Sequence, residues 1–196
     1  SVSNVPAYGS VTVAEFTFGL ILNLSRNIFK ATDQTKETSH FNIFNLKGFD
    51  LKGKTIGVVG TGRIGKNDIK IANGFDMNVI AYDLYKDEKY AEENNFKYVT
   101  FEDLVSKSDI ITLHTPYTEE SHHLINKEVI SQMKKGVYII NTARGELIDT
   151  GALLEGVQNG TIKGAGLDVL EGERMLKEEF EITKNGNTHI IDYKTL

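Results

Sequence analysis

The stretch from Lys54 to Asp83 constrains the fold of this chain more than any other. Lys54-Thr-Ile-Gly-Val-Val59 is a short apolar run of strand length, and Gly60-Thr-Gly62-Arg-Ile-Gly65 follows it at once. A helical segment runs from there to Gly74. Asn78-Val-Ile-Ala-Tyr82 then reads as a second buried strand, with Asp83 at its end. Strand, glycine-rich turn, helix, strand and acid is the order of a dinucleotide-binding βαβ unit. Gly60 allows the tight turn, Gly62 lets backbone approach a pyrophosphate, and Gly65 lets the helix pack close to the strand. Asp83 stands 23 residues after Gly60. A carboxylate there can accept both ribose hydroxyls of an adenosine and repels a 2′-phosphate, so NAD is the expected cofactor rather than NADP. The competing reading is a glycine turn kept for structure alone.

Strand and helix patterns alternate from residue 54 to residue 169. After the opening unit come a helix from Asp87 to Asn94, a strand from Phe96 to Val99 and a helix capped by Thr100. A strand at Asp109–Leu113, a helix from Asn126 to Lys134 and a strand from Val137 to Ile140 follow. A helix from Asp149 to Gln158 and a strand from Ile162 to Val169 complete the series. This predicts an α/β fold, a Rossmann-type doubly wound parallel sheet with helices on both faces. Ligands bind such sheets beyond the carboxyl ends of the strands. The glycine turn, Asp83, His114-Thr115-Pro116, Thr142-Ala143-Arg144 and Asp168 to Glu173 all fall at strand ends of that kind.

A formal charge of −5 without a long basic run argues against a nucleic-acid surface. The absence of cysteine excludes disulfides, thiolate metal sites and a cysteine nucleophile, and a reducing cytoplasm is the expected setting. The apolar stretch Val11–Leu24 is broken by Thr12, Glu15, Thr17 and Asn23, too short and polar to span a bilayer, so no membrane partner is expected. From Val11 to Phe29 a helix is predicted, with Ser10 as its cap. Apolar residues cover most of its circumference, so it must be buried on more than one side. A central core helix is one reading; a helix shared with a second subunit, giving a homodimer, is preferred. Lys30 to Lys52 reads as a long connector, and His40 within it as a surface or packing histidine.

Arg144 follows a buried strand and can hold a planar carboxylate through two parallel hydrogen bonds. Asp168 can reach the nicotinamide end of a cofactor or cap a turn. Glu173 can orient and charge a histidine. His114, between a strand and Pro116, can place its ring near the adenine or the pyrophosphate. His122 and His123 are adjacent and do not share a helix face, so no metal site is expected.

Four blocks carry a family resemblance: Val5-Pro-Ala-Tyr8 with Val13-Ala-Glu15, the glycine turn, Asn141-Thr-Ala-Arg-Gly-Glu-Leu-Ile-Asp149, and Gly166-Leu-Asp-Val-Leu-Glu-Gly-Glu173. Together they resemble the D-isomer-specific 2-hydroxyacid dehydrogenases over residues 1–174, and Gly48-Phe-Asp-Leu-Lys-Gly-Lys54 is most similar to the D-lactate dehydrogenase branch. The resemblance implies hydride transfer between NAD and a small 2-hydroxy or 2-keto acid, and a long first helix used for dimerisation. Arg144 matches the arginine that binds the substrate carboxylate, and Glu173 the glutamate paired with the catalytic histidine. Arg63, Ile64, Asp83, Thr115, Pro116, Ser121, Thr142, Ala143 and Asp168 fall on cofactor-contact positions, and Tyr8 on the segment facing the substrate cleft. The expected organisation is a dimerisation helix and connector over 1–50, an NAD-binding domain over 51–174 and an incomplete segment over 175–196. Most of the family's catalytic domain is expected to be missing.

Departures from the family accompany the match. Its catalytic histidine lies in a Pro-His segment; no Pro-His occurs here, and His189 lacks that context. Asp68 stands where an apolar side chain packs on the sheet, so Asp68→Val is expected to stabilise the fold if the carboxylate is buried unpaired. Asp76 stands where a glycine ends the first helix of the unit. Two functions are compatible with these residues: an enzyme whose cofactor-binding piece this is, or a non-catalytic NAD-binding and dimerisation module. A Rossmann-type methyltransferase fits less well, since it leaves Arg144 and Glu173 idle.

Overall fold

The computed structural model describes residues 9–38 and 45–173. Tyr8, His40, His189 and the segment 175–196 lie outside the described residues. The helices are α1 (Ser10–Arg26), α2 (Ile28–Thr38), α3 (Arg63–Gly74), α4 (Glu88–Glu93), α5 (Phe101–Lys107), α6 (Lys127–Ser131) and α7 (Thr150–Gln158). The strands are β1 (Thr55–Val59), β2 (Asn78–Tyr82), β3 (Lys97–Tyr98), β4 (Ile110–Leu113), β5 (Val137–Asn141) and β6 (Ile162–Leu167). They form one six-stranded sheet in the order β3-β2-β1-β4-β5-β6, and every neighbouring pair is parallel. This is the doubly wound arrangement expected, and the chain reverses its direction of travel across the sheet between β1 and β4, where ligands bind such folds.

The central strands β1, β4 and β5 are buried on both faces, which is why they read as continuous apolar runs rather than alternations. On one face Phe18 and Ile21 of α1, Ile69 and Ala72 of α3, and Ala91 of α4 pack on Ile56, Val58 and Ile140. On the other, Leu104 and Val105 of α5, Ile130 of α6, and Leu153 of α7 pack on Val59, Ile111 and Ile139. Each large aliphatic side chain removed from water contributes about 1.5–3 kcal/mol. Helix starts follow the sequence signals: Thr100 accepts from the Asp103 N–H, Asn126 from Val129 and Asp149 from Ala152, so each cap satisfies an orphan amide.

The N-terminal region differs from expectation in two ways. A single helix to Phe29 is interrupted at Asn27, whose left-handed backbone (φ 54°) ends α1 and starts α2. Ser10 is the first helical residue, and the N-cap is Gly9 without a side-chain cap. Part of the expected connector is therefore α2. Asp76 takes the left-handed conformation (φ 55°) that a glycine would adopt with less strain, and its carboxylate accepts from Lys52 Nζ at 2.9 Å.

Candidate functional site

One row of backbone pairing crosses most of the sheet. Tyr82 pairs with Val59, Val59 with Leu113, Leu113 with Asn141, and Asn141 with Leu167. The residues one step beyond that row are Asp83, Gly60, His114, Thr142 and Asp168. All five strand-end segments singled out in the sequence therefore start on one line at the carboxyl edge.

The glycine turn is fitted tightly to its surroundings on one side and open on the other. Gly60 has φ +93°, and a Cβ there would stand 2.9 Å from the backbone of His114 and Thr115. A Cβ on Gly65 would collide with the Gly60 carbonyl oxygen, so the close helix–strand approach expected of Gly65 is real. Gly62 meets nothing within 4 Å. It is the N-cap of α3, with no side-chain cap and no acid in the first turn, so the first amides of α3 and its dipole are left for an anion. Gly62 and Arg63 are exposed and Ile64 half-buried at this opening. The structure thus fits a pyrophosphate lying over the turn.

Asp83 is fixed by the same turn. Its Oδ2 accepts from the Thr61 N–H at 2.6 Å and from Thr61 Oγ1 at 2.9 Å, while Oδ1 accepts from the Tyr85 N–H at 2.8 Å. Tyr98 bonds the Thr61 hydroxyl at 2.8 Å and accepts from the Asp87 N–H at 3.2 Å. Asp87 pairs with Lys66 at 2.6 Å, and that hydrogen bond holds its carboxyl below the ordinary range. The acid expected to meet the ribose is therefore oriented before any ligand arrives.

Two expectations about this side are corrected. Asp68 is fully buried but not unpaired: Thr112 Oγ1 donates to its Oδ2 at 3.0 Å, and His114 Nε2 lies 3.1 Å from the same oxygen. For the same reason the His114 ring does not face a cofactor. Its side chain is 1% exposed, turned inward to Asp68. What His114 contributes to the edge is its backbone, which closes against Gly60 and donates its N–H to Val59 at 2.8 Å.

The other side of the edge is more open. Pro116 is exposed and Thr115 half-buried, while the Ser121 hydroxyl closes its own turn, accepting from the Thr118 N–H at 2.7 Å and donating to the Pro116 carbonyl at 3.1 Å. Buried Asn141 shapes the next turn, donating to the Arg144 carbonyl at 2.7 Å and accepting from the Ala143 N–H at 3.0 Å. Thr142 bonds Thr17 of α1 at 3.1 Å. Arg144 is exposed, and its guanidinium donates to the Ala143 carbonyl at 2.6 Å. Asp168 is exposed, its N–H donating to Asn141 at 3.0 Å, and Glu173 is half-buried at the end of the described chain.

Sequence reading missed Glu171. Its Oε1 lies 2.6 Å from His123 Nε2, and its Oε2 accepts from Thr150 Oγ1 at 2.9 Å. The His123 hydrogen bond, opposed by partial burial and aided by Thr150, holds the Glu171 carboxyl below its ordinary value. His122 and His123 lie in a turn, not a helix, with rings stacked 3.9 Å apart. The helix-face reason for setting the two aside thus does not apply. No spacing rule would have joined Glu171 to them.

A phosphate-ready glycine turn beside the switch point of a parallel 3-2-1-4-5-6 sheet, with a fixed acid on the next strand, defines a dinucleotide-binding domain. The chain belongs to the D-isomer specific 2-hydroxyacid dehydrogenase family, whose NAD binding domain pattern matches residues 18–191. It is 43% identical over 175 residues to the D-lactate dehydrogenase of Escherichia coli K12, covering 89% of this chain and 53% of that protein. It is 46% identical over 175 residues to an aromatic 2-oxoacid reductase of Clostridium sporogenes, covering 89% of this chain and 52% of that protein. The crystal structure of Aquifex aeolicus D-lactate dehydrogenase complexed with NAD and lactic acid superposes with a TM-score of 0.85 at 41% identity, covering 94% of this chain and 55% of that one. The chain thus spans about half the length of the relatives it matches.

Proposed function

We propose that the chain is the NAD-binding half of an enzyme that moves hydride between NAD(H) and the C2 carbon of a small D-2-hydroxy acid or its 2-keto partner. The observation that carries this is the single line of Asp83, Gly60, Thr142 and Asp168 along one edge. It is extended by Arg144, whose exposed guanidinium lies two residues beyond Thr142. The bound cofactor supplies or accepts the hydride. The turn around Gly62 and the amides of α3 would hold the pyrophosphate, Asp83 the adenosine ribose, and the Thr115-Pro116 edge, Ser121, Thr142, Ala143 and Asp168 the remainder. Arg144 would anchor the substrate carboxylate through paired N–H donors, and Glu173 would charge the histidine that exchanges the C2 oxygen proton. Tyr8 would face the same cleft. Likeness to both a D-lactate dehydrogenase and an aromatic 2-oxoacid reductase supports the acid class while leaving its side chain open.

The chain should bind NADH more tightly than NADPH, because Asp83 opposes a ribose phosphate. A direct fluorescence titration showing comparable or tighter NADPH binding overturns that assignment. Without a Pro-His pair in its sequence, the chain alone should bind NADH without reducing pyruvate or longer 2-keto acids. Turnover by chain of confirmed mass, abolished by His189→Ala, overturns this.

A non-catalytic NAD-binding and dimerisation role shares one observation with the enzyme reading. Val11 and Phe16 of α1 and Ile28 and Phe29 of α2 are 47–66% exposed although the opposite side of α1 is buried. These residues support a two-fold pair in either reading. A monomeric mass by light scattering counts against the pair. Among the described residues no helix is long and apolar enough to cross a membrane.

A further inference from the structure

His122, His123 and Glu171 stand apart from the groups assigned above, yet each offers a ligand atom, and these atoms all lie within 4.8 Å of one another. We propose that they form a binding site for a divalent transition-metal ion, Zn²⁺ by ligand type, that ties the turn after β4 to the segment after β6. Two imidazoles and a carboxylate with room for water are a frequent zinc ligand set.

Both loops are held by one scaffold, the short 3₁₀ turn Gly145–Leu147. The His123 N–H donates to the Glu146 carbonyl at 2.9 Å, and the Ile125 N–H to Leu147 at 3.0 Å. On the other side Gly145 packs so closely on the Leu170–Glu171 backbone that any Cβ would collide with it. The two ligand-bearing segments, 48 residues apart in sequence, are therefore positioned by contacts that do not involve the ligands themselves.

The ligand chemistry also fits. Thr150 binds the second oxygen of Glu171 at 2.9 Å, the outer hydrogen bond that metal-ligating carboxylates usually have. His122 is exposed and stacked on His123, so it can swing in without disturbing the core. A plain His123–Glu171 hydrogen bond accounts for the 2.6 Å contact, and His122 stands outside it, its Nδ1 held only loosely by the exposed Tyr117 hydroxyl at 3.4 Å. Two ligands of one tetrahedral zinc stand about 3.4 Å apart, given bonds of about 2.1 Å. Occupation would therefore replace the direct His123–Glu171 contact with the ion and draw Glu171 back by somewhat less than 1 Å, a side-chain rotation for a group 31% exposed.

The test is titration of the 196-residue chain with Zn²⁺ by calorimetry and with Co²⁺ by visible absorption, alongside His122→Ala, Glu171→Gln and Thr150→Ala. The expected result is one equivalent bound, a tetrahedral Co²⁺ spectrum, and affinity at least about tenfold weaker in His122→Ala. Removing the outer hydrogen bond in Thr150→Ala should weaken binding about 10–100-fold. His122 is exposed, so its variant tests the site even if Glu171→Gln disturbs folding. Absence of binding by the unmodified chain, or binding that survives His122→Ala unchanged, overturns the proposal, the latter by assigning the ion to other histidines. NADH affinity in metal-free buffer should be the same in His122→Ala, which separates this site from the cofactor assignment.

Discussion

The two halves of the sheet treat their polar groups in opposite ways. In the first half, β1 to β3, the acids Asp83 and Asp87 that follow β2 are already held by neighbours. Asp83 holds Thr61 and Tyr85, Asp87 holds Lys66, and the Lys66 ammonium also lies 4.2 Å over the Tyr90 ring. In the second half, β4 to β6, Arg144 and Asp168 stand exposed, and among the described residues the Arg144 side chain bonds a neighbouring carbonyl. The first half is thus a cradle whose shape exists before its ligand, so little ordering remains to be done on binding. The second presents groups toward whatever completes the site. Contacts across the β1–β4 seam decide whether the halves act as one, and the following substitutions probe them.

The largest effect is expected at Asp68, which reaches from α3 in the first half to Thr112 and His114 at the end of β4. Asp68→Val, expected from sequence alone to stabilise, should instead destabilise. Removing the carboxylate leaves the Thr112 hydroxyl and the His114 imidazole buried without their nearest acceptor, at about 1–3 kcal/mol for each buried polar group. Replacing both, in Asp68→Val with His114→Leu, should recover most of the loss, since apolar substitutes of similar size are often neutral at such sites. Chemical denaturation of the two variants checks this. A single variant with an unchanged midpoint would show that the seam is held by something else.

The reversal at Asp68 shows where sequence legibility ends. The strand runs, the glycine turn and the cap at Thr100 were readable because their causes are local: β-branched residues, backbone space, an oxygen three residues from an amide. The partners of Asp68 lie on another strand, and no spacing in the chain announces them. Asn27 was invisible for a related reason. Apolar residues continue on both sides of it, so periodicity runs through a break that one left-handed residue makes. At the site, the line of Asp83, Gly60, Thr142 and Asp168 followed from strand ends, whereas the inward turn of His114 and the pairing of Glu171 with His123 needed the packed structure.

Gly65 and Gly62 separate the fold of the cradle from its use. Gly65→Ala puts a methyl group against the Gly60 carbonyl oxygen, backbone that cannot rotate away. Overpacking of this kind costs about 1–3 kcal/mol, and NADH binding should weaken with it. Gly62→Ala meets no protein atom within 4 Å and has an ordinary φ of −67°. Its unfolding free energy should stay within about 1 kcal/mol of the parent, the cost of alanine at a helix N-cap, while NADH affinity falls because the methyl group occupies the space a pyrophosphate needs. Equal NADH affinity in Gly62→Ala and the parent would place the pyrophosphate elsewhere.

The smallest effect is expected at the opposite edge of the same seam. Asp109 directly precedes β4, accepts from the Thr55 N–H of β1 at 2.8 Å and from Lys134 Nζ at 3.0 Å, and so ties the two halves together at their amino ends. Partial burial pushes its carboxyl up, but the Thr55 amide and the Lys134 ammonium outweigh burial and hold it below the ordinary range. The folded state therefore takes up this proton at lower pH than the unfolded chain, whose aspartates titrate near about 3.9. Asp109 adds stability above that value and loses it as pH falls through the lower folded value. The carboxylate is about one-third exposed and its amine partner more so, which limits the ion pair to about 0.2–1 kcal/mol. Asp109→Asn should therefore lower the denaturation midpoint slightly at neutral pH, with the gap closing as pH drops below the carboxylate range. Denaturation curves of both proteins across acid pH measure this directly. A gap that stays constant would locate the effect in the Thr55 hydrogen bond alone, and a gap that widens in acid would contradict the sign of the shift.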